Sequence, residues 1–351
     1  MKTNAKHRRF FSPTSFLLCV ASLTLSACAD SPSASNLEQA QKAFGQHEFY
    51  EARIHLLNVL ESDPQNLQAF LLHARVMLEL GDGIAAENSL KKLTEAELSA
   101  ADKTALMAHS LILQGKADRA IESLENVKQI DRDALVYRML LWAHLEENSL
   151  NDNMPLLDEA LELHDNDPDI NALVGRFAVN RGDWDIADKR VNAALAADPR
   201  NYEALLLAGE IAIDQGQLEE ALDIYEQAAA LYPVHAVPLA NIAGLKTDLG
   251  HIDDAEVTVN QGLNTHPRYD YLNFQKARIE YLRGNYRDAN SALEKMRLNM
   301  SHYPPALILS GKIAAKLGNN AFAVSQLTRA KADDRYVAEA DQALQDIART
   351  E

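Results

Sequence analysis

The chain has 351 residues, 47% of them hydrophobic, with only 14 Gly and 11 Pro, enough apolar material for a large core and too few breakers for long disordered stretches. Its formal net charge is −17, a balance that repels phosphate backbones and anionic headgroups and so excludes nucleic acid as a partner. Both cysteines, Cys19 and Cys28, fall in the first 28 residues, which leaves the remainder without a disulfide framework or a thiolate metal site.

Residues 1–9 are polar and carry Lys2, Lys6, Arg8 and Arg9. Phe16 to Leu25 form an apolar run too short to span a bilayer. A basic start, a short apolar stretch and small residues at its end are the layout of a secretory signal peptide, assigned here to 1–27. The run closes on Leu25-Ser26-Ala27-Cys28. This resembles the lipobox of bacterial lipoproteins, in which the cysteine thiol receives the lipid, and it implies lipidation at Cys28. Ala29 follows the cysteine, which in enteric-type lipoproteins implies the outer membrane, facing the periplasm; Asp30, one place later, is also read in some lineages. Residues 28–35 are polar and Ser-rich and are expected to form a flexible tether. Without the signal, the body keeps 30 basic residues against 51 acidic ones, so membrane attachment must come from the anchor and not from a basic face.

From residue 36 onward the chain repeats. Gly182, Gly216, Gly250, Gly284 and Gly318 are each 34 residues apart, as are Gly81 and Gly115. An alanine stands five residues after each: Ala86, Ala120, Ala187, Ala221, Ala255, Ala289 and Ala323. Pro64, Pro199, Pro233 and Pro267 recur at one fixed offset. The glycine suits a left-handed residue closing one helix, the alanine a close helix crossing, and the proline the end of a second helix. Val174, Ala178, Ala187, Val191 and Ala194 trace the apolar stripe of one unit at helical spacing.

The pattern closely resembles the tetratricopeptide repeat family. The unit from Tyr202 to His235 places Gly209, Gly216, Ala221, Tyr225, Ala228 and Pro233 at the family's marked positions. The resemblance implies an all-α, right-handed superhelical solenoid of about nine helix-turn-helix repeats, near 33–66, 67–100, 101–134, 134–167, 168–201, 202–235, 236–269, 270–303 and 304–337. Two units depart from it. The first has His47 at the glycine position; the fourth has Asn148 there and Asn153 in place of the alanine. Residues 338–349, with Ala340, Ala343, Leu344 and Ile347 on one side, are expected to form a capping helix.

No sequence motif for chemistry stands out. The eleven histidines include no His-Glu-x-x-His, and no nucleophile elbow, P-loop or dinucleotide fingerprint occurs. Asp165-Asn166-Asp167-Pro168-Asp169 opens like a calcium loop, but Ile170 stands where the loop needs glycine and Arg176 where it needs glutamate. The expectation is therefore no enzyme, no cofactor and no metal.

The family implies a binding groove lined by the first helix of each unit, chiefly at its second, fifth, ninth, twelfth and thirteenth positions. In the eighth unit these are Tyr271, Phe274, Arg278, Tyr281 and Leu282, residue types that dominate binding hot spots. The seventh offers Val237, Ala240, Gly244, Thr247 and Asp248, the fifth Arg176 and the fourth Trp142. Periodicity alone leaves two orientations open for the eighth unit, because Asn273, Lys276 and Glu280 are polar where the family packs its core: Tyr271 and Phe274 either line the groove or turn inward. The Lys and Asn clamp for chaperone C-termini is absent. The sequence thus implies a membrane-anchored scaffold for proteins or peptides of an envelope assembly, resembling pilus and secretion-system lipoproteins such as those of the Flp/Tad type. Adaptors for peptidoglycan enzymes or for outer-membrane protein assembly are the alternative within the same fold.

Overall fold

In the computed structural model, residues 32–94, 96–296 and 303–350 are described. The segment 1–27 read as a signal peptide, Cys28 and residues 29–31 lie outside them. Among the described residues the regular structure is helical: nineteen α-helices joined by short turns. The helices pair into tetratricopeptide-type hairpins, and contacts divide the chain into two compact units, with the division falling between residues 208 and 209.

The first unit holds five hairpins: α1 (Pro32–Gly45) with α2 (Phe49–Ser62), α3 (Leu67–Glu79) with α4 (Gly83–Leu90), α5 (Ala100–Leu113) with α6 (Ala117–Glu125), α7 (Ala134–Glu146) with α8 (Met154–Leu163), and α9 (Pro168–Arg181) with α10 (Trp184–Ala197). Helix α11 (Tyr202–Asp214) crosses the boundary. The second unit continues with α12 (Leu218–Leu231), α13 (Ala236–Asp248) with α14 (Ile252–Thr265), α15 (Asp270–Leu282) with α16 (Tyr286–Glu294), α17 (Pro304–Lys316) with α18 (Asn320–Ala330), and α19 (Val337–Thr350). Residues 32–35, assigned above to the tether, form the first turn of α1, where proline is tolerated because its missing N–H would have no helical partner.

The turn between the helices of a hairpin is set by one left-handed residue. The seven spaced glycines have φ between 72 and 82°. The N–H that follows reaches back over the last turn, as from Asp183 to the Ala178 carbonyl at 2.9 Å, satisfying a carbonyl that the helix end would leave free. His47 (φ 60°) and Asn148 (φ 53°) hold the same conformation without glycine. His and Asn are among the side-chain-bearing residues that enter this region most readily, and the same bonds form there, Glu48 to Ala43 and Ser149 to His144, both at 2.9 Å.

The alanines five residues on are fully buried at the helix crossings. Close approach is strict at Gly209, where a Cβ would lie 2.5 Å from the Tyr225 ring. In the fourth hairpin Asn153 replaces the alanine, and a 3₁₀ turn (Leu150–Asn153) delays the start of α8. Asn153 is only half-buried, and its amide donates to the Ser149 carbonyl at 3.1 Å. At the C-terminus, Ala340, Ala343 and Ile347 of α19 close a core with Leu307, Ala323 and Leu327, covering the last hairpin.

Candidate protein-binding face

In each unit the first helix of a hairpin packs on the first helix of the next, α5 on α7 on α9 and α13 on α15 on α17. The second helix packs on its own partner and on the following first helix. Within each unit the first helices therefore form one layer, and the residues singled out from the sequence stand on it.

In the first unit this layer is polar and tightly paired. Asp167 caps α9, accepting from the backbone N–H of Asp169 at 3.1 Å and of Ile170 at 2.9 Å. The guanidinium of Arg138, on α7, bonds Asp167 and reaches the Asp169 carboxylate at 2.9 Å. Asp169 accepts in turn from the Asn201 amide at 2.6 Å, and Asn201 accepts from the Ala204 N–H at the start of α11. One chain of polar contacts thus runs from α7 through α9 to α11. Burial pushes the Asp169 carboxyl up to about 7, against the pull of Arg138. Two helical turns along α9 from Asp169, Arg176 is buried and paired with Glu203 at 2.7 Å. Trp142 is 2% exposed; its indole N–H donates to Glu146 at 3.3 Å, and its ring meets His109 of α5 edge-on at 4.8 Å. Burial alone drives the His109 imidazole down to about 3, which keeps it neutral.

In the second unit the corresponding layer is aromatic. The Tyr271 and Phe274 rings lie nearly parallel, 6.1 Å apart, and Tyr303 stands edge-on to both, at 6.3 and 5.1 Å. Phe274 joins the core with Ala277, Leu293, Ala306 and Ile313. Tyr271 is only partly covered, and burial pushes its hydroxyl above its ordinary range. Arg278 donates to Gln275 at 2.9 Å and pairs with Asp248 of α13. Gly244 leaves space beside Gln275, whose amide would lie 3.0 Å from an added Cβ. Tyr281 packs against Tyr286 at 5.6 Å, and Leu282 is 58% exposed.

The two orientations left open for α15 are thus both used. Phe274 turns inward, while Tyr271, Arg278 and Tyr281 stay partly exposed at the edge of the same cluster. Of the polar residues at the family's core positions, Asn273 is buried, bonding back to the Tyr269 carbonyl at 3.0 Å, while Lys276 and Glu280 remain partly exposed. Leu272, Ala277 and Ile279 carry the packing instead. Sequence reasoning missed Tyr303, Gln275 and the Arg138–Asp167–Asp169–Asn201 chain. A usable signal existed: Asp133, Asp167, Asn201, His235, Tyr269 and Tyr303 share one place in the 34-residue register, the residue just before each first helix.

Among the described residues no group of three or more His, Cys, Asp or Glu side chains is placed to hold a metal ion. No described helix is long and apolar enough to cross a membrane.

Residues 175–236 and 212–278 match two tetratricopeptide repeat families. Among curated proteins, the chain is 27% identical over 128 residues to BBSome complex member BBS4 of Bos taurus, covering 36% of this chain and 24% of that protein. It is 24% identical over 243 residues to DnaJ homolog subfamily C member 3 of Gallus gallus, covering 64% of this chain and 48% of that one. The chain thus spans from a quarter to a half of the length of these relatives. Among solved structures, the APC/C hetero-tetramer Cut9–Hcn1 superposes with a TM-score of 0.62 at 15% identity, over 90% of this chain and 69% of that one. Pseudomonas aeruginosa pilF gives 0.51 at 18% identity, over 62% and 97%. PilW, described as a widely conserved type IV pilus biogenesis factor, gives 0.50 at 19% identity, over 63% and 100%. These likenesses share the fold. Residues 175–278 carry tetratricopeptide repeats, and the described residues share the helical-hairpin fold of these structures.

Proposed function

We propose that this protein is a lipid-anchored scaffold of the bacterial envelope that assists assembly of a pilus or secretion complex, docking protein segments on the layer of its first helices. The observation that carries the reading is the partly exposed edge of the α15 cluster. There Tyr271, Arg278 and Tyr281 present aromatic rings and a guanidinium beside the exposed Leu282, on a rigid support. Such groups dominate binding energy when a partner excludes water from them. The ion pair to Asp248 and the bond to Gln275 hold Arg278 in place, so little conformational entropy is lost on docking. The acidic body suits protein partners with basic or neutral surfaces. The ending Leu25-Ser26-Ala27-Cys28 supports the anchor. The fold shared with pilF and PilW supports the pilus reading at the level of architecture.

The reading is tested in cells. Cys28→Ala should abolish fatty-acid labelling and release the chain from the membrane fraction. Tyr271→Ala combined with Arg278→Ala should weaken capture of partner proteins by about 2 kcal/mol or more while the melting curve stays close to that of the parent. Acylation that persists without Cys28 would remove the anchor. Partner capture that is unchanged in the double variant would remove this face. Co-purification of peptidoglycan enzymes in place of pilus or secretion components would move the protein to another envelope system.

A further inference from the structure

The first hairpin carries an apolar face that its own packing does not use. Tyr50, Ile54 and Leu57 of α2 are 55, 54 and 47% exposed. Spaced by four and three residues, they share one side of the helix. Ala52, Leu56 and Val59, which face the rest of the stack, are fully buried. Solvent would be an unusual setting for three large apolar side chains in a row, and the position of the row points to what covers it.

The register between α1 and α2 is fixed by the His55 imidazole, whose Nδ1 meets the Asn36 side-chain oxygen at 3.2 Å. The helices run antiparallel, so Leu57, two residues on, lies level with Ala34, within about 3 Å along the axis of the first residue of α1. Tyr50 lies about 10 Å farther from that end. Four residues lead from Cys28 to Pro32, a reach of at most about 14 Å when extended. The apolar row therefore begins at the end of the hairpin where the chain would leave the lipid, and runs away from it along one outer side.

We infer that Tyr50, Ile54 and Leu57 form a bilayer-contact face that seats the first hairpin in the headgroup layer beside the anchor. The inference rests on lipidation at Cys28, the reading given above. Its occupant is a zwitterionic lipid surface. Glu51 and Glu61 flank the row and Arg53 is its one basic neighbour on α2, a balance that anionic headgroups would repel. Side chains of this kind lie about 5–10 Å deep at the headgroup boundary, within the span of a row this long. Ile186 of α10 is similarly exposed at 51%, but it stands alone between Asp185 and Asp188 and serves as an internal control.

The test uses the full chain, expressed with its leader and acylated in cells. If Cys19 leaves with the leader and the Cys28 thiol is consumed by lipid, Leu57→Cys supplies the one reactive thiol. A polarity-sensitive fluorophore is attached there, and in parallel at Ile186→Cys, and the protein is placed in phosphatidylcholine–phosphatidylethanolamine vesicles with brominated acyl chains. Quenching several-fold stronger at position 57 than at 186 is the expected result. If acylation is verified by mass and the chain binds the vesicles, yet both probes are equally unquenched, the face is overturned and the anchor stands. A chain that is not acylated at Cys28 overturns both. A probe at position 57 that shifts blue without vesicles and with rising protein concentration would show that a second copy covers the row, and would also overturn the proposal. Ile54→Cys, on the same exposed side, repeats the measurement should Leu57→Cys perturb the helix.

Discussion

The two units begin their first helices in different ways. In the first, the residue before the helix is Asn66, Ser99, Asp133 or Asp167, and each side chain accepts a backbone N–H of the helix it precedes. In the second, the same place holds His235, Tyr269 and Tyr303, none of which makes such a cap. A capped helix start is stabilised locally, through free N–H groups and the helix dipole. An aromatic start contributes instead through packing, as Tyr303 does against Tyr271 and Phe274. The consequence reaches the layer of first helices in each unit. Polar starts in the first unit recruit Arg138 into an extended hydrogen-bonded chain, whereas the aromatic start at α17 supports a cluster whose edge stays open.

The contrast can be broken most forcefully at its two centres. Arg138→Ala strands the carboxylates of Asp167 and Asp169 and should cost about 3–5 kcal/mol. Phe274→Ala opens a cavity in the second unit and should cost a similar 3–5 kcal/mol. Urea unfolding followed by helicity measures both. The losses should differ in character, with only the first changing when pH protonates Asp169. Equal pH responses would show that the polar chain does not behave as one.

The next effect separates the units by acid. The folded pKa of His109, about 3, lies below its ordinary value of 6.5. The unfolded chain therefore binds more protons between these limits, and stability falls as pH drops below 6.5. At pH 5 the loss is about 2 kcal/mol, taking 1.36 kcal/mol per unit. His109→Gln should flatten this part of the melting-temperature profile. An unaltered profile would place the acid response elsewhere.

The smallest effect isolates a single cap. Asp133→Ala removes the oxygen that accepts the Val136 N–H at 3.0 Å and should cost about 1 kcal/mol, read by hydrogen exchange in the first turn of α7. Unchanged exchange there would mean that packing alone holds the polar starts, as it does the aromatic ones.

The repeat was legible because its marks are local. A left-handed glycine, an alanine at a crossing and a proline after a helix each answer to a constraint of the backbone within a few residues, and the 34-residue spacing multiplies the signal. Even His47 and Asn148 are readable after the fact, since the turn demands one conformation whatever residue occupies it. The candidate site was less legible. Tyr271, Phe274, Arg278 and Tyr281 were visible as a cluster of binding-type residues, but Tyr303 lies about thirty residues on and only the stack brings it to them. Arg138 and Asp167, 29 residues apart, and Asp169 and Asn201, 32 apart, meet for the same reason.

The sequence by itself determined the helical class, the hairpin unit, its turns and the closing helix, because these follow from dihedral preferences and from periodicity along one chain. Tertiary structure alone decided which side of α15 faces inward. A rotation of a helix about its axis changes nothing in its own hydrogen bonds; its neighbours set that rotation, here through Leu272, Phe274, Ala277 and Ile279 turning to the core and leaving Tyr271, Arg278 and Tyr281 at the edge.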